Sequence, residues 1–300
     1  MLYGRGSDCI FINKIFLKLF SGGVFFDIFS TGKADKLSYT GLGIGVESLH
    51  SDCYNIVIVV GTILILEELM ACVKVYYLNH SGFAVETDTK VLIFDYYKDP
   101  EKVLLRLKGG EKPFWFFVSH SHADHFNPYI VKFSDVTVRR ITDATVPLSV
   151  WKDGKTVVLR PYEEWCEDDV SVHEFGSTDE GGSFYVETDG LRIFHAGDLN
   201  HWHWDGDTEA DRREADKLFE REMSRLDIGE TDLAFFPVDA RLGRTREWGV
   251  SAFLNQVKVD LCLIPMHYFG SVWEPSAEFT EKYGSTPLWI PQKDGDSRQW

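Results

Sequence analysis

Val118-Ser-His-Ser-His-Ala-Asp-His-Phe126 places three imidazoles and one carboxylate, His120, His122, Asp124 and His125, within six positions. The segment before it, Pro113 to Val118, is aromatic and β-branched, the composition of a buried strand. The polar cluster therefore sits on the loop at that strand's carboxyl end. Alternate side chains of an extended segment share a face, so His120 and His122 point the same way and can grip one cation together. A helix beginning at Ala123 would carry Asp124 and His125 round to a second position nearby. Imidazole and carboxylate suit Zn²⁺, Mn²⁺ or Fe²⁺, and with no cysteine close by a thiolate-only site is excluded.

Further stretches agree with this one in order and spacing: Leu78-Asn-His-Ser-Gly-Phe-Ala-Val-Glu86, Lys90-Val-Leu-Ile-Phe-Asp95, Phe194-His-Ala-Gly-Asp-Leu199 and Ile264-Pro-Met-His-Tyr268. Together the motifs resemble the His-x-His-x-Asp-His signature and flanking strands of the metallo-β-lactamase superfamily. Within it they resemble the branch of the ascorbate-6-phosphate lactonase and the N-acyl-phosphatidylethanolamine phospholipase D. The resemblance runs over roughly residues 73 to 292. It implies a dinuclear centre of two Zn²⁺ ions, with Mn²⁺ or Fe²⁺ as alternatives. His120 and His122 would hold the first ion, Asp124, His125 and His267 the second, and Asp198 would bridge them. Asp124 and Asp198 are then the catalytic carboxylates, and a metal-activated water would attack a phosphoester, phosphodiester or lactone. The alternative is a member that binds metal and a small ligand without turnover.

One departure motivates that alternative. The superfamily usually has Gly-His-Thr where this chain has Gly176-Ser-Thr178, so Ser177 replaces the histidine that completes the first metal position. A hydroxyl is a poor zinc ligand at neutral pH. Substitutes are at hand in Asp179 and Glu180 of the same loop and in His201 and His203 beyond Asp198. The last two share an alternating face if extended, and can equally wall the pocket without touching metal. His80, beside Ser81-Gly82, is a pocket or hydrogen-bonding residue, while His173 belongs to an alternating strand and reads as surface. His195 points away from Asp198 if alternation holds. Asp239 and Arg241 follow a predicted strand end and either orient a ligand or substrate anion or form a surface salt bridge.

A formal charge of −16 argues against a nucleic acid bound through its phosphates, which needs clustered Lys and Arg. It leaves open a small phosphorylated substrate, because metal ions supply local positive charge. Five cysteines without paired spacing point to a reducing compartment, the cytoplasm. With 300 residues and 44% hydrophobic content, one large domain is the economical reading.

From Val73 the patterns predict three strands, a helix near Glu101 to Leu107, the strand before the ligand loop, and short strands around Val136, Val146, Val157 and Val172. A hairpin follows, turning at Asp189-Gly190. Residues 208 to 226 carry Ala215, Leu218, Phe219, Met223 and Leu226 at helical spacing. Strands at Leu233 to Pro237 and Leu261 to Pro265 then alternate with helices at Val250 to Val257 and Ala277 to Tyr283. This order fits an α+β four-layer αβ/βα sandwich, the metallo-β-lactamase fold.

The first 69 residues differ from the rest, with one histidine, no tryptophan, no proline and apolar clumps at Ile10 to Phe20 and Asn55 to Leu66. The second clump is too short to span a bilayer comfortably and too far from the amino terminus for an ordinary signal peptide, so no transmembrane segment is expected. Gly41-Leu-Gly-Ile-Gly45 resembles a nucleotide loop only superficially. The expected organisation is an atypical extension over 1–69 and a hydrolase domain over 70–300, with Met70 as the natural start. Mass spectrometry of the native protein should then yield no peptide from residues 1 to 69, and finding such peptides would overturn the expectation.

Overall fold

The computed structural model describes residues 72–300 and, ahead of them, only four short strands. Those are β1 (Leu17–Ser21) paired antiparallel with β2 (Val24–Ile28), and β3 (Val46–Ser51) with β4 (Tyr54–Val59). The Gly41–Gly45 loop and Met70 lie outside the described residues. The chain divides into a unit over Met1–Glu68 and a unit over Leu69–Trp300.

The second unit is built on two mixed sheets. The first contains β5 (Lys74–Asn79), β6 (Gly82–Glu86), β7 (Val91–Phe94), β8 (Phe114–Val118), β9 (Thr137–Asp143) and β10 (Thr156–Leu159), with the late strand β17 (Ser297–Gln299) closing its edge beside β5. The second contains β11 (Glu164–Glu167), β12 (Val170–Gly176), β13 (Gly182–Thr188), β14 (Leu191–His195), β15 (Glu230–Pro237) and β16 (Lys258–Met266), in that order. Each sheet starts antiparallel and becomes parallel, from β7 to β10 in the first and from β14 to β16 in the second.

The strand before the metal-ligand loop shows why the sandwich has four layers. All five residues of β8 are buried, as befits a central parallel strand covered on both faces. Trp115 and Phe117 pack into the core between the sheets, where Phe117 meets Phe184 at 5.9 Å and Phe83 meets Phe235 at 4.6 Å. Phe114, Phe116 and Val118 face the other way, onto α1 (Val103–Leu107) and the turn around Ile130 and Phe133. On the second sheet's outer side, Phe194 and Phe236 stack against Phe253 of α3 (Trp248–Gln256). α2 (Glu209–Arg225) starts at a capping box between Thr208 and Asp211, and α4 (Ala277–Tyr283) starts at the Ser276 cap. The expected αβ/βα sandwich is the observed architecture.

The differences are local. Val146 lies in a turn rather than a strand, although it is buried in the outer cluster. The helix expected at Ala123 is a single turn, closed by His125 and Phe126 amides donating to the His122 carbonyl. β11 and β17 were not expected, being short edge strands with polar residues at most positions.

At the end opposite the ligand loop, the β6–β7 and β13–β14 turns are joined by a buried cation. Lys90 Nζ donates to Asp169 at 2.7 Å, Thr188 at 2.9 Å and Asp189 at 3.3 Å. The Asp189-Gly190 turn expected from sequence thus helps tie the two sheets together.

Glu174 of β12 is a different case, since it is fully buried and both carboxyl oxygens lack a hydrogen-bond partner. Burial, reinforced by the neighbouring Asp143, pushes its pKa up from 4.5 to about 10. A folded-state value above the unfolded one means that this group's contribution to stability is complete below about pH 4.5 and is lost as pH rises toward 10. Glu174→Gln should accordingly stabilise the fold at pH 7 by about 2 to 3 kcal/mol, with little effect at pH 4.5. Denaturant titration at the two pH values measures this; equal effects at both would contradict it.

Candidate metal centre

The polar residues collect where parallel strands end. Asp95 follows β7, Ser119 to His125 follow β8, Asp198 lies three residues past β14, and Asp239 and His267 follow β15 and β16. Backbone closeness holds these ends in register. Gly197 has φ +53°, and a Cβ there would lie 2.6 Å from the Gly182 carbonyl oxygen and 2.9 Å from Ser119 Cβ. Gly181 has φ +71°, and a Cβ would fall 2.6 Å from His120 Cβ. Only glycine meets both demands, the left-handed backbone and the absent side chain.

Asp198 occupies the centre. Its Oδ2 lies 3.5 Å from His120 Nε2, and its Oδ1 lies 3.1 Å from His125 Nε2 and 3.3 Å from His267 Nε2. The two oxygens thus face opposite groups of imidazoles. On one side His122, Asp179 and Asp198 bring ligand atoms together, with His120 Nε2 3.1 Å from His122 Nδ1. On the other, His80, Asp124, His125 and His267 do the same.

Hydrogen bonds behind the rings determine which nitrogens are bare. Ser119 Oγ donates to Asp95 Oδ2 at 2.7 Å, so the 2.9 Å contact from His120 Nδ1 to that hydroxyl must carry the imidazole proton. His125 Nδ1 donates to Asp95 at 2.8 Å and His267 Nδ1 to Asp239 at 3.1 Å. As neutral rings, all three imidazoles would turn an unprotonated Nε2 toward the carboxylate of Asp198. Lone pairs facing lone pairs at such distances repel, so the arrangement calls for a cation between them. His125 Nε2, His80 Nε2 and Asp198 Oδ1 are indeed buried without a hydrogen-bond partner. This donor set fits a metal with carboxylate-oriented histidines.

The titration behaviour follows from the same packing. Burial opposes ionisation of Asp198, but His125 and His267 outweigh it and hold its carboxyl well below the usual range. Burial would likewise lower His125 and His267, yet Asp198, with Asp95 behind one ring and Asp239 behind the other, raises both. His120 and His80 go the other way, His80 to about 3, through burial and the neighbouring imidazoles. These two keep their lone pairs available for a metal throughout the neutral range.

Several sequence readings find their place here. His120, His122, Asp124, His125, Asp198 and His267 all converge. His80 joins the ligand atoms of the second group and so is more than a pocket residue. It sits in the two-residue β5–β6 turn at φ +58° and packs 4.1 Å from the His267 ring. Asp179 brings a carboxylate oxygen beside His122 and Asp198, and its amide donates to the Ser177 hydroxyl at 3.2 Å. Glu180 acts behind the ring, its carboxylate 3.1 Å from His122 Nε2, which leaves Nδ1 facing the centre.

Of the two readings of His201 and His203, the geometry gives the one away from the missing ligand, because both Nε2 atoms turn onto Asp216 of α2, at 2.7 and 2.8 Å. Asp239 is fully buried and its carboxylate is taken by His267 and Arg241, so it orients a ligand-type histidine. For the same reason the Asp239–Arg241 pair is no surface salt bridge, although Arg241 itself reaches the rim with its side chain 46% exposed. His195 points away from Asp198 as expected, its Nε2 hydrogen-bonded to the Ser81 carbonyl. His173 is partly buried, stacked 3.9 Å from Phe175.

Sequence reasoning missed the role of Asp95. Its signal was an acid directly after an apolar parallel strand, and the structure shows that carboxylate receiving Ser119 and His125 together.

The comparisons with known proteins agree with the geometry. Residues 74–216 match the beta-lactamase superfamily domain, a span that includes every ligand candidate except His267. A UPF0173 metal-dependent hydrolase of Thermococcus kodakarensis is 24% identical over 232 residues, covering 70% of this chain and 90% of that protein. Among solved structures, Igni18 of Ignicoccus hospitalis, a metallo hydrolase, superposes with a TM-score of 0.52 at 16% identity, over 76% of this chain and 98% of that one. A protein of Parabacteroides distasonis gives 0.50 at 15% identity, over 82% and 98%. The chain has the metallo-β-lactamase fold, and its residues 74–216 match the model of the beta-lactamase superfamily domain.

Replacing Asp95 by Asn puts an amide N–H₂ against donors from Ser119 or His125. Metal affinity should fall about 10- to 100-fold, as for other carboxylates behind ligand histidines. Competition with a chromophoric chelator reads the loss; an unchanged affinity would mean that Asp95 does not orient the ligands.

Proposed function

We propose that the chain is a metal-dependent hydrolase acting on a phosphoester, phosphodiester or lactone bond of a small molecule, with residues 70–300 as the hydrolase domain. The observation that carries the reading is the placement of Asp198, one oxygen toward His120 and the other toward His125 and His267. His120, His122, Asp179 and Asp198 would hold a first ion, and His80, Asp124, His125, His267 and Asp198 a second. Zn²⁺ suits these donors best, with Mn²⁺ or Fe²⁺ as alternatives. A pair of such ions, when bound, supplies a water acidified toward neutral pH and a clamp on the electrophilic oxygen.

The protein's own groups would do the rest. Asp124, partly exposed with Oδ2 3.6 Å from His80 Nε2, is placed to accept a proton released at the centre, while Asp198 would hold the two ions together. Trp202 and Phe269 wall the cleft, their rings 5.5 and 5.0 Å from His267. Arg241, lying 3.8 Å over Phe269 and fixed by Asp239, offers its exposed edge to an anionic substrate group. The likeness to the lactonase and phospholipase D branch supports the substrate classes named. A cytoplasmic setting is supported by the unpaired Cys72, Cys166 and Cys262, and no described helix is long and apolar enough to cross a membrane. A small molecule, rather than a nucleic acid, is the partner that the net charge of −16 favours.

A second reading, a catalytically degenerate member that binds metal and a ligand without turnover, is favoured by Ser177 and by the partial exposure of His122 at 43%. Metal analysis of the purified protein with a screen of generic phosphodiester and lactone substrates separates the two. The hydrolase reading expects two ions in this centre and turnover that drops at least about 100-fold in His122→Ala. One ion or none, with no turnover on any class, would establish the binding reading instead.

A further inference from the structure

Outside the centre, one cluster of ligand-type side chains is drawn together by the fold without a role in the proposed chemistry. His201 and His203 lie on the loop after Asp198, and Asp216 lies on α2, one turn before Phe219. Both imidazole Nε2 atoms converge on the same carboxylate oxygen, Asp216 Oδ1, at 2.7 and 2.8 Å. The rings are held by packing rather than by the carboxylate alone. His201 lies flat on Phe219, with centroids 4.8 Å apart and planes at 4°, while His203 packs 5.2 Å from Trp248. The His203 carbonyl accepts from Thr245 Oγ1 at 3.0 Å, which fixes the loop from the other side.

We infer that His201, His203 and Asp216 form a separate binding site for a divalent cation of the zinc class. Two imidazole nitrogens and one carboxylate oxygen, all within 4.8 Å of one another, make a three-ligand set of the kind that holds Zn²⁺ with a water in the fourth position. Two further observations point to a ligand there. Among the described residues Asp216 is hydrogen-bonded through Oδ1 only, and its side chain is 43% exposed. His203 and Asp216 also line a cavity of about 280 Å³ whose other walls include Trp248, the carboxylates of Asp205 and Glu209, and Arg212, Arg213 and Arg244. Two neutral imidazoles and one carboxylate leave a bound divalent ion with a net charge of +1, so occupancy needs no buried countercharge.

Occupancy would act on the cleft through the loop. Trp202 lies between the two histidines, donates its indole N–H to the Asp198 carbonyl at 3.0 Å and stacks on Trp204 at 5.3 Å. An ion at His201 and His203 therefore fastens the aromatic wall of the catalytic cleft to α2. The site stands on its own geometry, whether or not the His120 centre turns over substrate.

The test uses the full chain, equilibrated with Zn²⁺ and desalted, with zinc per chain counted by inductively coupled plasma mass spectrometry. Wild type should carry one zinc more than Asp216→Asn and His203→Ala, and His122→Ala should keep that zinc. Asp216→Asn preserves the side-chain shape and guards against misfolding of the histidine variant. Co²⁺ added to His122→Ala should quench tryptophan emission, because Trp202, Trp204 and Trp248 lie beside the site, and the further Asp216→Asn substitution should remove the part of the quenching that this site contributes. Equal zinc counts in wild type, Asp216→Asn and His203→Ala would overturn the inference and leave a hydrogen-bonded clamp. A lack of hydrolase activity alongside the unequal counts would defeat the catalytic reading only.

Discussion

The carboxylate of Asp198, buried among imidazoles whose bare nitrogens face it, is the interaction on which the rest of the site depends. In a protein interior an ionised carboxylate is tolerated only with compensating charge. The structure surrounds this one with His120, His125 and His267 and fixes each ring from behind through Ser119, Asp95 or Asp239. Those outer partners remove the freedom by which the histidines could turn their protons inward as neutral rings. Only protonation of the rings or a metal cation then satisfies the centre. The raised values of His125 and His267 are the protonated answer, and a metal would compete with those same protons.

That constraint explains the placement of the strands. A carboxylate and four histidines from distant parts of the chain meet only where β7, β8, β14, β15 and β16 all end on one edge of the sandwich, as parallel strands allow. The interior aromatic packing of Phe83, Phe94, Phe117 and Phe235 lies directly beneath. Gly181 and Gly197 let the loops of the second sheet approach Ser119 and His120 of the first more closely than any side chain would permit. Core and site are therefore one construction: the packing that pairs the sheets also sets the distance between the two halves of the ligand set.

Much of this was legible in the sequence, for identifiable reasons. The four-layer fold followed from the order of strand and helix patterns together with the family resemblance, and Phe114 to Val118 is buried at every position as a strand covered on both faces should be. His120, His122, Asp124 and His125 stood out by local spacing, while Asp198 and His267 followed from the resemblance. What stayed hidden depended on contacts between residues far apart in sequence. Asp95 is 30 residues from His125, and nothing local marks it as the acceptor behind that ring. His80 read as a pocket or hydrogen-bonding residue, and only the approach of His267, whose amide donates to the His80 carbonyl at 3.2 Å, brings it beside the ligand group. Alternation correctly paired His201 with His203 but could not say which carboxylate they meet, because α2 folds back over that loop.

The replacement of the superfamily's usual histidine by Ser177 changes the charge of the first position as well as its geometry. Asp179 brings a negative charge where an imidazole would bring none, and Glu180 adds another beside His122. With Asp124 and Asp198, four carboxylates then surround the centre, in a chain already at −16. Such a surplus binds a divalent cation more tightly and makes it a weaker Lewis acid, because the ligands offset more of its charge. An anionic substrate is also less attracted to a centre so neutralised. The compensating positive charge is Arg241, exposed at the rim, held by Asp239 and close enough to Asp124 and Asp198 to be stabilised by both. The same buried Asp239 that orients His267 also aims the guanidinium, and in the proposed hydrolase it would couple metal geometry to the recognition of a substrate's negative charge.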